Sequence, residues 1–204
     1  MTAERERQYL LRFDEVNKLI TEEYNNGASA EELIKTLTSM LAIAFEEGVD
    51  AAWEELEYVQ DMGYEVTTDD LLPIIEARYD DGKTFADLIK EYAEIGAIGS
   101  IQRVAETEYH KAYNAGGLKG ASSVFSFPDG DVAAANDVRR GVVKTWVTVG
   151  DDKVRELHRY LEGETLPLDE EFYTYDGDHG LCPSGFERAE NNVNCRCVLE
   201  FSYV

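Results

Sequence analysis

The sequence predicts an α+β protein, a helical N-terminal half followed by a small mixed C-terminal module with a short antiparallel sheet. Three observations predict it. Apolar residues recur at intervals of three and four up to about residue 117. Beyond Gly120 that period stops, and Val142-Val143-Lys144-Thr145-Trp146-Val147-Thr148-Val149 forms a β-branched and aromatic run. The segment Asn191-Asn192-Val193-Asn194-Cys195-Arg196-Cys197-Val198-Leu199-Glu200-Phe201 reads as a polar turn feeding a closing strand. The expected division is a helical region over 1–117 and an α+β module over 118–204.

In the first helix, Ala3 to Tyr24, residues Leu10, Phe13, Val16, Ile20 and Tyr24 form one stripe, and Asn25-Asn26-Gly27 ends it. Ser29 and Glu32 form a capping box ahead of Leu33, Ile34, Leu37, Leu41, Ala44 and Phe45. Gly48 is the expected stop. Asp50 then caps Ala51 to Met62, with Trp53, Leu56 and Val59 on one face. Thr68 opens a further helix that tolerates Pro73 in its first turn. From Thr84 the helical period runs through Ile95, falters at Gly96 and Gly99, and resumes to Asn114-Ala115-Gly116-Gly117, as one kinked helix or two stacked ones. The strings around Ser29 and Thr84 echo each other, as helix caps do without common ancestry.

In the module, Ala121 to Phe127 is expected as a short strand, Pro128-Asp129-Gly130-Asp131 as a turn and Val132 to Arg140 as a helical turn or two. The Val142 strand stops at Gly150, and Asp151 caps a short helix holding Val154, Arg155, Leu157, His158 and Leu161. On that strand Lys144 and Trp146 share a face, with Trp146 as the core anchor of the sheet.

The chain of 204 residues carries 42 acidic and 19 basic side chains, a net charge of -23. Residues 1–100 hold -16 of it. Such a field repels nucleic acid and anionic membrane. It reads first as a solvated surface, and also suits a salt-adapted host or a basic protein partner. Three cysteines are too few and too clustered for a secreted disulfide framework. The start lacks an apolar signal core and no stretch is long enough to span a membrane, so a soluble chain made in the cytoplasm is expected.

The polar residues that carry chemistry are His158, Asp176, Asp178, His179, Cys182, Cys195 and Cys197. His158, Cys182, Cys195 and Cys197 are the metal-ligand candidates, since one histidine and three thiols satisfy the arithmetic of zinc. Cys-x-Cys lacks the two-residue knuckle of common zinc sites, and on an extended strand Cys195 and Cys197 pack as small hydrophobes beside Leu199. Either histidine beside Asp176 or Asp178 has the composition of a general base. No phosphate loop, two-histidine helix or nucleophile elbow accompanies them. No catalytic residue and no resident cofactor is therefore expected, with zinc as the alternative.

Read in order, the C-terminal half holds Glu106-Thr107-Glu108, Ala112-Tyr113-Asn114-Ala115-Gly116, Lys144-Thr145-Trp146-Val147-Thr148, Asp151-Asp152-Lys153-Val154-Arg155-Glu156-Leu157-His158, Gly163 and Asn194-Cys195-Arg196-Cys197. Over about residues 100–201 this series resembles the phage Mu F-like head-morphogenesis family, minor head proteins of tailed viruses. Lys144, Trp146, Arg155, His158, Asn194, Cys195, Arg196 and Cys197 are its structural signature here. Two departures stand out. The family usually has an arginine just before its Thr-Glu, where this chain has Ala105 and Glu106. Its proline-rich string before the last strand is here Leu181-Cys182-Pro183-Ser184-Gly185.

The resemblance implies a non-enzymatic virion component, a few copies inside the head near the portal vertex. It would contact the portal or major capsid protein, and packaged DNA at most indirectly, in assembly, packaging or genome delivery. Two other readings compete: a zinc-dependent hydrolase built on His158, His179 and the cysteines, and an acidic DNA mimic. Arg196, facing away from the thiols, is expected to pair with a carboxylate of its own module or to cap backbone carbonyls.

Overall fold

The computed structural model describes residues 3–58, 63–124 and 141–204, with side chains from residue 14 onward. Among the described residues five helices form the N-terminal half: α1 (Ala3–Asn25), α2 (Ala30–Glu55), α3 (Thr68–Ile75), α4 (Phe85–Glu94) and α5 (Ile98–Ser123). Three of them begin with a capping box. Ser29 with Glu32, Thr67 with Asp70, and Thr84 with Asp87 each exchange side-chain and backbone hydrogen bonds across the first turn. Thr68 opens α3 as expected, with Thr67 as its cap, and Pro73 falls in the second turn of an eight-residue helix. At Gly96 the chain takes φ 71°, which separates α4 from α5 as two helices.

The stops expected at Gly48 and at Asn114 to Gly117 do not occur, and Asp50 lies inside α2 rather than capping a new helix. A Cβ at Gly48 would lie 2.0 Å from the Tyr113 carbonyl oxygen, and one at Gly116 2.0 Å from that of Phe45. At Gly120 it would lie 2.7 Å from the Val49 carbonyl oxygen. These glycines let α2 and α5 touch backbone to backbone. The packing gained outweighs the roughly 1 kcal/mol that each glycine costs a helix interior. Because α5 runs through Ser123, the expected boundary at 117 falls inside a helix, and Ala121 to Ser123 are helical rather than strand. Expectations for residues 125–140, and for the stretch 59–62, lie outside the described residues.

Asp70 ties α3 to α5. Its carboxylate accepts from Tyr64 Oη at 2.8 Å, Thr67 Oγ1 at 2.7 Å and the Thr67 N–H at 3.0 Å, and pairs with Lys119 Nζ at 2.9 Å. The Asp70 side chain is 7% exposed. Burial opposes its ionisation, but the Lys119, Thr67 and Tyr64 donors outweigh burial and hold the carboxyl well below the usual 3.8. A carboxyl depressed by folding stabilises the protein above the unfolded value and loses that contribution as pH falls below it. Asp70→Asn is therefore expected to cost about 2 kcal/mol at pH 7. In urea melts against pH, the gap from wild type should hold down to about pH 4 and close below it.

The module contains β1 (Val142–Val147), α6 (Glu156–Tyr160), β2 (Thr165–Pro167), β3 (Phe172–Tyr173), β4 (His179–Gly180), α7 (Ala189–Asn192) and β5 (Val198–Tyr203). The main sheet is antiparallel in the order β2-β1-β5, and β3 pairs with β4 separately. Trp146 stands opposite Leu199, and Lys144 opposite Phe201. The Leu199 N–H donates to Asn114 Oδ1 on α5 at 3.2 Å, and the Phe201 N–H to Glu55 Oε2 on α2 at 2.9 Å. The Phe201 ring fills the space over Gly117. Buried residues from α1 to β5 accordingly form one continuous core.

Candidate functional site

Cys195-Arg196-Cys197 lies just ahead of β5, which begins at Val198, so strand alternation does not govern it. Asn194 adopts φ 56°, a left-handed conformation that asparagine tolerates, and turns the chain into this segment. Both thiols then converge on one atom. Cys195 Sγ is 3.5 Å and Cys197 Sγ 3.6 Å from Nδ1 of His158 on α6. The three side chains are buried, between 1% and 2% exposed. The imidazole is held between rings: Phe186 stacks on it at 5.8 Å and 22°, and Trp146 meets it edge-on at 5.4 Å and 75°. A hydrogen bond from Cys197, aided by His158 and opposed by burial, pulls the Cys195 thiol well below its usual range. The same hydrogen bond and burial push Cys197 up, so the pair favours one thiolate and one thiol.

Arg196 points away and pairs with Asp151, Nη2 to Oδ1 at 2.7 Å. Asp151 also accepts the Lys153 N–H at 3.0 Å, and so works as a loop clasp rather than as the cap of α6. That cap position belongs to Arg155, whose guanidinium donates to the Val193 carbonyl. Two arginines thereby tie residues 193–196 to the loop after β1. The Arg196 side chain is 28% exposed and that of Asp151 39%, so solvent screens the pair and its contribution to stability is small.

Lys144 is fully buried on β1. Its ammonium donates to the Leu168 carbonyl at 2.9 Å and sits 5.3 Å over the Phe172 ring, and burial lowers it to about 8. Trp146, also fully buried, packs on Phe172 at 5.2 Å and Phe186 at 5.5 Å as the sheet's anchor.

The remaining candidates do not assemble into a hydrolytic centre. His179 faces Glu171 at 3.2 Å and Glu187 at 3.7 Å on the partly exposed β4, apart from the His158 group. Cys182 is buried, its thiol pushed up to about 12 by burial, and it too lies outside that group. Asp176 pairs with Arg188 at 2.9 Å. Asp178 is buried and organises the loop by accepting from the His179 and Arg188 N–H groups and from Asn191 Nδ2.

The order of these residues along the chain, and the way β5 closes them against α5 and β1, can be set against known proteins. Residues 75–200 match the family described as Phage Mu protein F like protein. The chain belongs to that family. Among curated proteins, this Mu F-like chain is 29% identical over 103 residues to Minor head protein GP7 of Bacillus phage SPP1, which covers 50% of the chain and 30% of that relative. It is 26% identical over 145 residues to NAD(+)--arginine ADP-ribosyltransferase EFV of Enterococcus faecalis, 70% of the chain and 26% of that relative. The chain thus spans less than a third of the length of each. No solved structure matches it.

Reasoning from residue types overlooked two groups of the Mu F-like module. Asn114 Nδ2 donates to the carbonyls of His110 at 3.0 Å and Cys197 at 3.3 Å, while its Oδ1 takes the Leu199 N–H. Its signal was a buried amide one turn after His110 in an otherwise small or apolar stripe. The second group lines a cleft of about 280 Å³ between α5 and the loop after β4, with Tyr79, Glu108, Lys111, Ser184 and Phe186 on its walls. Burial raises the Glu108 carboxyl, which accepts from Tyr79 Oη at 2.5 Å and lies 3.8 Å from Lys111 Nζ. Only tertiary folding brings Tyr79 to Glu108, so no spacing along the chain announces the pair.

Proposed function

We propose that this chain is a minor head protein of a tailed virus, present in a few copies inside the head at the portal vertex. There it supports head assembly or genome delivery by binding the portal or major capsid protein. The observation that carries this reading is the family match over 75–200, together with the printed role of the SPP1 relative as a minor head protein. The charge supports protein rather than DNA contacts: a net -23 repels the phosphate backbone, and residues 1–100 concentrate that repulsion. Among the described residues no helix is long and apolar enough to cross a membrane.

Quantitative mass spectrometry of purified particles, combined with chemical crosslinking, tests the proposal. The expected result is a low copy number per particle with crosslinks to the portal. Particles that contain none of the chain, or crosslinks confined to the outer shell, would overturn it.

A further inference from the structure

We propose that His158, Cys195 and Cys197 bind a zinc ion, which staples the segment before β5 to α6. The three ligand atoms lie within 4.8 Å of one another. Tetrahedral zinc, with Zn–N of about 2.0–2.1 Å and Zn–S of about 2.3 Å, sets nitrogen and sulfur about 3.6 Å apart. The observed separations from Nδ1 are 3.5 Å and 3.6 Å. An ion therefore fits without movement of the backbone.

Hydrogen bonding alone explains the arrangement less well. A neutral imidazole offers, at Nδ1, either one proton or one lone pair, so it serves one sulfur and the other must turn to its neighbouring thiol. A metal ion is shared by all three groups at once. Two thiolates and an imidazole are also the soft donor set that zinc favours over magnesium or calcium. With the ring proton on Nε2, the tautomer that ligation through Nδ1 requires, the lone pair faces the two sulfurs. Phe186 and Trp146 fix the ring plane in that orientation. Arg196 and Arg155, anchored to Asp151 and the Val193 carbonyl, hold the Cys-x-Cys backbone from outside. The short spacing that suits zinc poorly on a regular strand thus works here, because the segment is not a strand and Asn194 turns it inward.

Burial marks the role as structural. Structural zinc is closed by four ligands; the described side chains bring three together here, and the buried His110 and Cys182 are the residues to test for the fourth.

The test uses the full chain, made metal-free with chelator under reducing conditions and titrated with Co(II), then with Zn(II). One equivalent of cobalt is expected to give thiolate-to-metal charge-transfer absorption and the d–d bands of a tetrahedral site, and zinc should bleach both. Zinc should also raise the thermal midpoint of the metal-free protein. Cys195→Ser and Cys197→Ser should each weaken cobalt binding at least tenfold. Loss of the tetrahedral bands in Cys182→Ser or in His110→Asn would support the site and name its fourth ligand. Retention in both would support a site completed by solvent. Wild-type protein that shows no charge-transfer band and no response to zinc would overturn the proposal, as would full binding by Cys195→Ser. Neither result bears on whether the chain is a head protein, so the two proposals fail separately.

Discussion

Gly116→Ala is expected to destabilise the protein by about 3 kcal/mol or more, although glycine-to-alanine exchange in an open helix stabilises by about 1 kcal/mol. The sign reverses because the added methyl would lie 2.0 Å from the Phe45 carbonyl oxygen, a rigid backbone atom of α2. Relief requires α2 and α5 to separate, and their interface runs from Phe45 and Gly48 to Ala52 and Gly120. Close-packed interiors do not yield to such a shift without losing contacts along the whole seam. Gly99→Ala is the control: it sits on the same helix, and its added methyl would meet nothing within 4 Å. It is expected to be neutral or to stabilise by up to about 1 kcal/mol. Urea denaturation of both variants decides the matter. Equal effects at the two sites would refute the close-contact account of α2 and α5.

Asn114→Ala is expected to cost about 2–4 kcal/mol. It leaves the Leu199 N–H and the Cys197 carbonyl without their buried partner, each worth about 1–3 kcal/mol when stranded. Both groups flank the start of β5, so the damage should concentrate there. Hydrogen exchange at the Leu199 amide should accelerate much more than exchange in the middle of α2. A loss below about 0.5 kcal/mol, with Leu199 still protected, would show that the amide fork contributes little.

What was legible in the sequence was local. Ser29 with Glu32 announced a helix start because a capping box is complete within four residues, and the apolar period announced the helix after Thr84. The β-branched run around Trp146 announced its strand for the same reason, each residue carrying the preference itself. Glycine was ambiguous. Gly48 and Gly116 read as stops because a lone glycine weakens a helix, and only the position of the partner helix shows that they are contact points. The start of α3 at Thr68 was legible too, whereas Pro73, expected in its first turn, lies in the second.

The site divides in the same way. The pattern of Cys195 and Cys197 was visible, but a strand was assumed from Asn194 onward, and alternation then sent the thiols toward Leu199 alone. The left-handed turn at Asn194 and the start of β5 at Val198 redirect them to His158, which is 37 residues from Cys195 along the chain. Asp151 looked like a helix cap because it precedes a short helix; its partner Arg196 lies 45 residues away. Long-range pairings of this kind have no periodicity to betray them.

The hydrogen bonds that Asn114 and Glu55 accept from β5 have one further consequence, for solubility at high local concentration. Among the described residues β5 and β2 are the outer strands of the sheet. An outer strand with free N–H groups is a template on which an extended segment of a neighbouring molecule can add, the usual start of edge-to-edge aggregation. On β5 the N–H groups of Leu199 and Phe201, which point away from β1, are occupied by helix side chains that stand in for a fourth strand. On β2 the strand is three residues long and ends at Pro167, which has no N–H to offer. Both margins of the sheet are thus guarded within one molecule, so copies crowded together could associate through chosen surfaces rather than by adding strands to one another.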